Sequence, residues 1–180
     1  GLDKILADKY FCNFSLFQSI PDAWAIDQIF PIVPLHRLDE RPDRRGVVQD
    51  LTCDSDGQVD VYVDGAGIEA TLPLHARRPG EPYLLGIFLV GAYQEILGDV
   101  HNLFGDTHSA NVELSGDGYR VAEPRFGDAV RDVLGFVDLD AQRLVAAYRR
   151  LGFETGLDRT ELEAHLSELR AGLEGYTYLE

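Results

Sequence analysis

Apolar and polar positions alternate with a period near two until about residue 126, and then change to a helical period. Residues 9–17 (KYFCNFSLF) set large apolar side chains against small or polar ones, predicting a strand that meets a turn at residues 19–22 (SIPD). Residues 28–35 (QIFPIVPL) are apolar, but Pro31 and Pro34 cannot donate to a ladder and predict an edge or a bulge. A charged loop at residues 37–45 precedes a further strand at residues 46–53 (GVVQDLTC). Residues 58–63 (QVDVYV) alternate, residues 64–67 (DGAG) mark a turn, and residues 68–74 supply a hairpin partner. The longest apolar run, residues 83–93 (YLLGIFLVGAY), predicts a buried strand; two glycines break it and it is too short to span a bilayer. Residues 110–114 alternate again before a turn at 115–118. Short strands with turns every ten or so residues predict an antiparallel barrel or sandwich.

After Gly127 three apolar stripes recur at helical spacing. Val130, Val133, Leu134 and Val137 form the first, with Asp128 placed to favour its N-terminus. Leu144, Val145, Tyr148 and Leu151 form the second, begun near Asp138 or Asp140. Leu162, Leu166, Leu169 and Leu173 form the third, with Thr160 and Glu163 at capping-box spacing. The fold class expected is therefore α+β: an antiparallel β domain over residues 1–126 and a small helical extension over 127–180.

A chain of 180 residues can bury one sizeable core with an appendage. Its 16 basic and 31 acidic residues give a net charge of -15, which repels nucleic acid and anionic membranes and favours a cationic small-molecule partner. Two cysteines, Cys12 and Cys53, could pair but form no disulfide framework, and nothing resembles a secretory signal; a reducing cytoplasm is expected. The chain contains no methionine, so it is expected to be a piece of something longer.

Candidate chemistry concentrates in residues 52–57 (TCDSDG), which can be read as a turn, a metal loop or a working thiol beside a carboxylate. As a calcium loop it fails the count: from Asp54 the fifth position is Gln58 and the sixth is Val59, where a glycine is needed. Zinc fares no better, since Cys53 lacks a CxxC partner. As a turn it is ordinary, with Asp and Ser at entry and Gly supplying positive φ. As a site, Cys53 would end a strand with its thiol at a pocket, able to pass a proton to a carbanion, beside a carboxylate for a cationic group. A second cluster is Gly91, Ala92 and Tyr93, where small residues admit a ligand and a phenol can bond a phosphate. A third is residues 101–106 (HNLFGD), in which a buried, hydrogen-bonded His101 is the plain reading.

Taken in order, DKYFCNFSLFQSIPDAWAIDQIFPIVPLHRLDE, TCDSDG, LVGAYQEILGDVHNLFGDT and the terminal GYTYLE resemble the C-terminal part of the biosynthetic, pyridoxal-phosphate-dependent arginine decarboxylases. The resemblance implies an N-terminal (β/α)8 barrel, absent from this chain, that carries the Schiff-base lysine, and a β domain with helical additions that completes the site. It implies conversion of L-arginine to agmatine and CO2 on the way to putrescine and spermidine, with pyridoxal 5'-phosphate as electron sink and Mg2+ at an unknown site. Cys53 matches the family cysteine that reaches the cofactor and is the expected proton donor to Cα. Asp54 matches the aspartate that meets the distal cationic group, here a guanidinium. Tyr93 matches the tyrosine on the cofactor phosphate. Related decarboxylases often read Cys-acid-small-x-Asp, whereas the second aspartate here is Asp56 and the fifth position is Gly57, so either carboxylate could meet substrate. Where ornithine decarboxylases carry Asn-Asp-Gly, this chain has Asn13, Phe14 and Ser15, which removes a carboxylate and suits a longer substrate. The expected partners are L-arginine, the barrel portion of the same enzyme and a second copy in a homodimer or higher dimer-based oligomer, with no nucleic acid and no membrane. The isolated chain is expected to be inactive. The alternative is a non-catalytic acidic β module that binds a polyamine or a partner protein.

Overall fold

The computed structural model describes residues 6–65, 67–116 and 118–179. Contacts divide the chain into two compact units, residues 1–102 and 103–180. The first is mixed α and β, and the second joins a hairpin to helices, so the α+β class holds. Among the described residues the strands form one three-stranded and three two-stranded sheets, and none closes into a barrel. The last strand gives way to helices where the periodicity changes, near residue 126, yet the compact units part earlier. The reason is that the two strands before that point pair only with each other.

In the first unit, β1 (Asp8–Phe11) pairs in parallel with β3 (Arg44–Gln49), and β3 pairs antiparallel with β6 (Leu72–Leu74). The parallel pair departs from the all-antiparallel expectation. β2 (Ile32–Pro34) pairs with β7 (Leu85–Ile87), and β4 (Tyr62–Asp64) with β5 (Gly67–Glu69), both antiparallel. Tyr10, Val48 and Tyr62 from the strands join Leu16, Ile20 and Phe30 from the segments between them in one core. Each large apolar side chain so buried contributes about 1.5–3 kcal/mol. Gly46 is required there, since a Cβ would lie 2.6 Å from the Tyr10 ring. The buried Tyr62 hydroxyl accepts from Val48 N (2.8 Å) and donates to Val59 O (2.7 Å), so the core pays little for its polarity.

Two expected strands are corrected. The 9–17 segment is extended only through Phe11, as part of β1 (Asp8–Phe11); Leu16–Ser19 forms a helical turn, α1, followed by α2 (Pro21–Ala25). Ser15 caps α1 by accepting from Gln18 N, and the buried Asp50 carboxylate accepts from Leu16 N at 2.8 Å. Pro21 sits at the first turn of α2, where its missing N–H costs nothing. The apolar run at 83–93 is not a buried strand. Pairing ends at Ile87, and Leu89 takes a left-handed φ of 59° that no strand can continue. Leu89 is 85% exposed, and the run ends in a helix, α3 (Ala92–Leu97).

In the second unit, the expected strand at 110–114 lies within β8 (Ser109–Ser115), which turns into β9 (Gly118–Arg125) to form a hairpin. Helices α4 (Val130–Gly135), α5 (Ala141–Glu154) and α6 (Arg159–Glu174) follow. Asp140 caps α5 by accepting from Arg143 N at 2.7 Å. The capping box of α6 is Asp158 with Glu161, two residues ahead of the predicted Thr160 and Glu163. The first helix is closed by Asp132 on Ala129 N rather than by Asp128. Leu162, Leu166 and Leu173 are buried as expected, whereas Leu144, Tyr148 and Leu151 of the second stripe stay exposed. No helix among the described residues is long and apolar enough to cross a membrane.

Candidate functional site

The loop that carries Cys53 is closed at its base. Gln49 and Gln58 form an antiparallel bridge, and Asp50 N donates to Gly57 O at 2.8 Å. Inside it the buried Asp50 carboxylate does three things: Oδ2 takes Leu16 N, while Oδ1 takes Thr52 N at 2.8 Å and the Thr52 hydroxyl at 2.7 Å. A buried carboxylate is tolerated only when so bonded. Gly57 is the one residue that fits beside it, because a Cβ would stand 2.2 Å from Asp50 Oδ1 and 2.4 Å from Thr52 Oγ1.

The tip is a real turn, as the DSDG composition predicts, but Gly57 is not among the glycines of positive φ, so the expected reason for it is corrected: it is needed for lack of room for a Cβ. Asp54 Oδ1 accepts from Asp56 N at 2.9 Å, and Gly57 N donates to Asp54 O. Cys53 follows the end of β3 by four residues, so it lies on a loop rather than at a strand end, and its side chain is exposed. Both cysteines are free thiols. Burial pushes the Cys12 thiol up to about 11, which makes it the inert one of the two.

Two residues outside the loop hold its tip. Asn102 Oδ1 accepts from Cys53 N at 3.0 Å, with Asn102 itself in the left-handed region at φ 56° that asparagine tolerates. His101 Nε2 stands 3.6 Å from Asp54 Oδ2, an ion-pair distance beyond hydrogen-bond length. That nitrogen is buried with no hydrogen-bond partner, so the expected hydrogen-bonded core histidine is corrected to a ring edge facing a carboxylate. Asp56 is held separately: its Oδ2 accepts from Trp24 Nε1 at 3.3 Å. With Asp27 and Asp60 it lines a cavity of about 260 Å³, whose negative field favours cations.

Tyr93 lies on the first turn of α3 rather than at a strand end, and is 76% exposed. Its neighbour Gln94 anchors the helix, donating to Asp22 Oδ2 at 2.5 Å and accepting from Asp22 N at 3.1 Å. Cys53, Asp54 and Asp56 therefore share one loop, while Tyr93 is presented from a different element; no hydrogen bond among the described residues joins it to that loop. Among the described residues no group of three or more His, Cys, Asp or Glu side chains could hold a metal ion. His101 and Asn102 were not paired with TCDSDG by spacing, although the polar density of HNLFGD after an apolar run was the available signal.

Residues 130–179 match the family described as the arginine decarboxylase C-terminal helical extension. The chain is 64% identical over 180 residues to a biosynthetic arginine decarboxylase of Alkalilimnicola ehrlichii, covering 99% of this chain and 29% of that relative. It is 56% identical to the one of Marinobacter nauticus, covering 99% and 28%. The crystal structure of the biosynthetic arginine decarboxylase of Campylobacter jejuni superposes with a TM-score of 0.83 at 38% identity, covering 96% of this chain and 29% of that one. The chain thus spans under a third of the length of the relatives it matches.

Proposed function

We propose, from a chain that belongs to the biosynthetic arginine decarboxylases as their C-terminal portion, that it completes the active site of an enzyme converting L-arginine to agmatine and CO2 for polyamine synthesis. The observation that carries this reading is the braced loop. An exposed thiol and an adjacent carboxylate are carried on a turn whose main chain is hydrogen-bonded at Cys53 and at Asp56.

Cys53 is the proposed catalytic residue, delivering a proton to Cα after CO2 leaves. Its main chain is pinned, so the thiol can approach the reacting carbon repeatedly in one geometry. Asp54 is the proposed partner of the guanidinium. Its Oδ1 is engaged by the turn and its Oδ2 faces His101 Nε2 without a hydrogen bond, leaving an oxygen for a cationic group. Asp56 is the second candidate; its Oδ2 accepts from Trp24, as Asp54 Oδ1 accepts from Asp56 N.

Pyridoxal phosphate, when bound, supplies the electron sink for loss of the α-carboxylate. The side chains here fit it as contributors to a shared wall: the Tyr93 phenol points outward from an anchored helix, as a phosphate donor must if the rest of the cradle belongs elsewhere. The attaching lysine is assigned to the barrel portion of the same enzyme, and a second copy is the proposed neighbour across the site. The described residues form no donor set for magnesium, so that ion is assigned no residue of this chain.

Purified full-length enzyme offered L-arginine, L-ornithine and L-lysine separately should release CO2 and a decarboxylated amine from arginine. Release from ornithine or lysine at a greater rate than from arginine sinks the assignment.

A further inference from the structure

The geometry points to His101 and Asn102 as positioning residues for the cysteine loop: Asn102 holds the main chain of Cys53, and His101, mounted on Phe17, faces the Asp54 carboxylate. The inference rests on the proposed roles of Cys53 and Asp54 and adds what holds them in place.

Phe17 is a core residue, only 4% exposed, on the short helix α1. The His101 ring packs on it with centroids 4.6 Å apart, and the Trp24 ring meets it edge-on at 5.3 Å. Each of these rings then presents nitrogen to one carboxylate of the loop. His101 Nε2 faces Asp54 Oδ2 at 3.6 Å, and Trp24 Nε1 donates to Asp56 Oδ2 at 3.3 Å. One buried phenyl ring thus supports the partners of both aspartates. The same helix also fixes the loop's base, since Leu16 N donates to Asp50. It fixes the segment leading to His101 as well, because Phe17 O accepts from Asp99 N at 3.0 Å and Gly98 packs against Gln18 O so closely that a Cβ would lie 2.8 Å away.

Asn102 and His101 divide the work. Asn102 grips the main chain of Cys53 through a side-chain carbonyl, at a left-handed residue whose conformation aspartate or glycine can also adopt. His101 grips nothing by hydrogen bond. Its buried Nε2 faces Asp54 Oδ2 at 3.6 Å with no hydrogen bond formed, and the attraction between them orients the Asp54 carboxylate. Losing the first should misplace the proton donor, and losing the second should misplace the guanidinium partner.

The test uses full-length enzyme carrying Asn102→Gly, Asn102→Asp or His101→Phe. Glycine permits the left-handed backbone but removes the acceptor, aspartate keeps both, and phenylalanine keeps the packing on Phe17 but removes the nitrogen. In the cofactor-free protein, Asn102→Gly should change the rate of Cys53 alkylation by iodoacetamide about fivefold or more, and Asn102→Asp should restore it toward the native rate. With arginine and cofactor, Asn102→Gly should lower kcat about tenfold with KM little changed, whereas His101→Phe should raise KM about tenfold with a smaller change in kcat. Alkylation within twofold of native in Asn102→Gly, or kcat and KM changing alike in both variants, overturns the inference. If the unsubstituted enzyme fails to decarboxylate arginine, the functional reading falls while the alkylation series still decides whether Asn102 holds the loop.

Discussion

Asp50 and Gly57 close the cysteine loop against each other: Asp50 N donates to Gly57 O at 2.8 Å, and a Cβ on Gly57 would stand 2.2 Å from Asp50 Oδ1. The carboxylate cannot retreat, because it also holds Leu16 N and Thr52. Gly57→Ala should therefore cost about 1–3 kcal/mol, the scale of forced overpacking at a buried site. Chemical denaturation of the purified protein measures it, and a midpoint equal to that of the parent would show that the loop repacks freely.

The two thiols should separate by reactivity. At pH 8 iodoacetamide should modify the exposed Cys53 while leaving Cys12 intact, with mass mapping of peptides as the readout. Equal modification of both in the folded protein would contradict the burial of Cys12.

Cys12 also gives stability a pH dependence. Its thiol has an ordinary value of 9.0 and is raised to about 11 in the fold by burial. The unfolded chain then loses its proton first, so the stabilisation is full below pH 9 and is lost as pH rises toward 11. The buried phenols of Tyr10 and Tyr62 and the partly buried phenol of Tyr83 are raised by the same desolvation and act in the same direction. Cys12→Ala should flatten part of the decline in melting temperature between pH 9 and 11; an unchanged decline would show that the thiol contributes nothing.

Tyr93 should matter to the cofactor and not to the fold. Being largely exposed, Tyr93→Phe should alter stability by no more than about 0.5 kcal/mol. In the full-length enzyme, loss of a hydrogen bond to a charged phosphate should weaken the apparent affinity for pyridoxal phosphate about tenfold or more. Titrating activity against added cofactor checks it, and an unchanged half-saturation point removes Tyr93 from the site.

The parts legible in the sequence are those decided by neighbours along the chain. The helices after Gly127 show their apolar spacing, the β8–β9 hairpin shows its alternation, and DSDG shows its turn. What was not legible depends on residues far apart. Leu16 starts a helical turn because a carboxylate 34 positions later accepts its N–H, and no local pattern encodes that bond. The 83–93 run reads as buried because all its residues are apolar, yet Leu89 turns the chain outward: Tyr83, Leu85 and Ile87 stay partly buried against the core, while Phe88, Leu89, Val90 and Tyr93 are exposed. Apolar character signals a surface to be covered, not the polypeptide that covers it. Cys53, Asp54 and Tyr93 stand out by residue type and position, and family resemblance supplies their expected roles. The meeting of His101 with Asp54 joins segments 47 residues apart and emerges only from the fold.

The most direct measurement is the rate of agmatine formation by full-length enzyme carrying Cys53→Ala, beside the native protein at saturating arginine and cofactor. Loss of a positioned proton donor should slow product formation by a factor on the order of 10² or more, with the substituted protein still folded and still binding cofactor. Agmatine formed at the native rate would contradict the assignment of Cys53 as the group that delivers the proton.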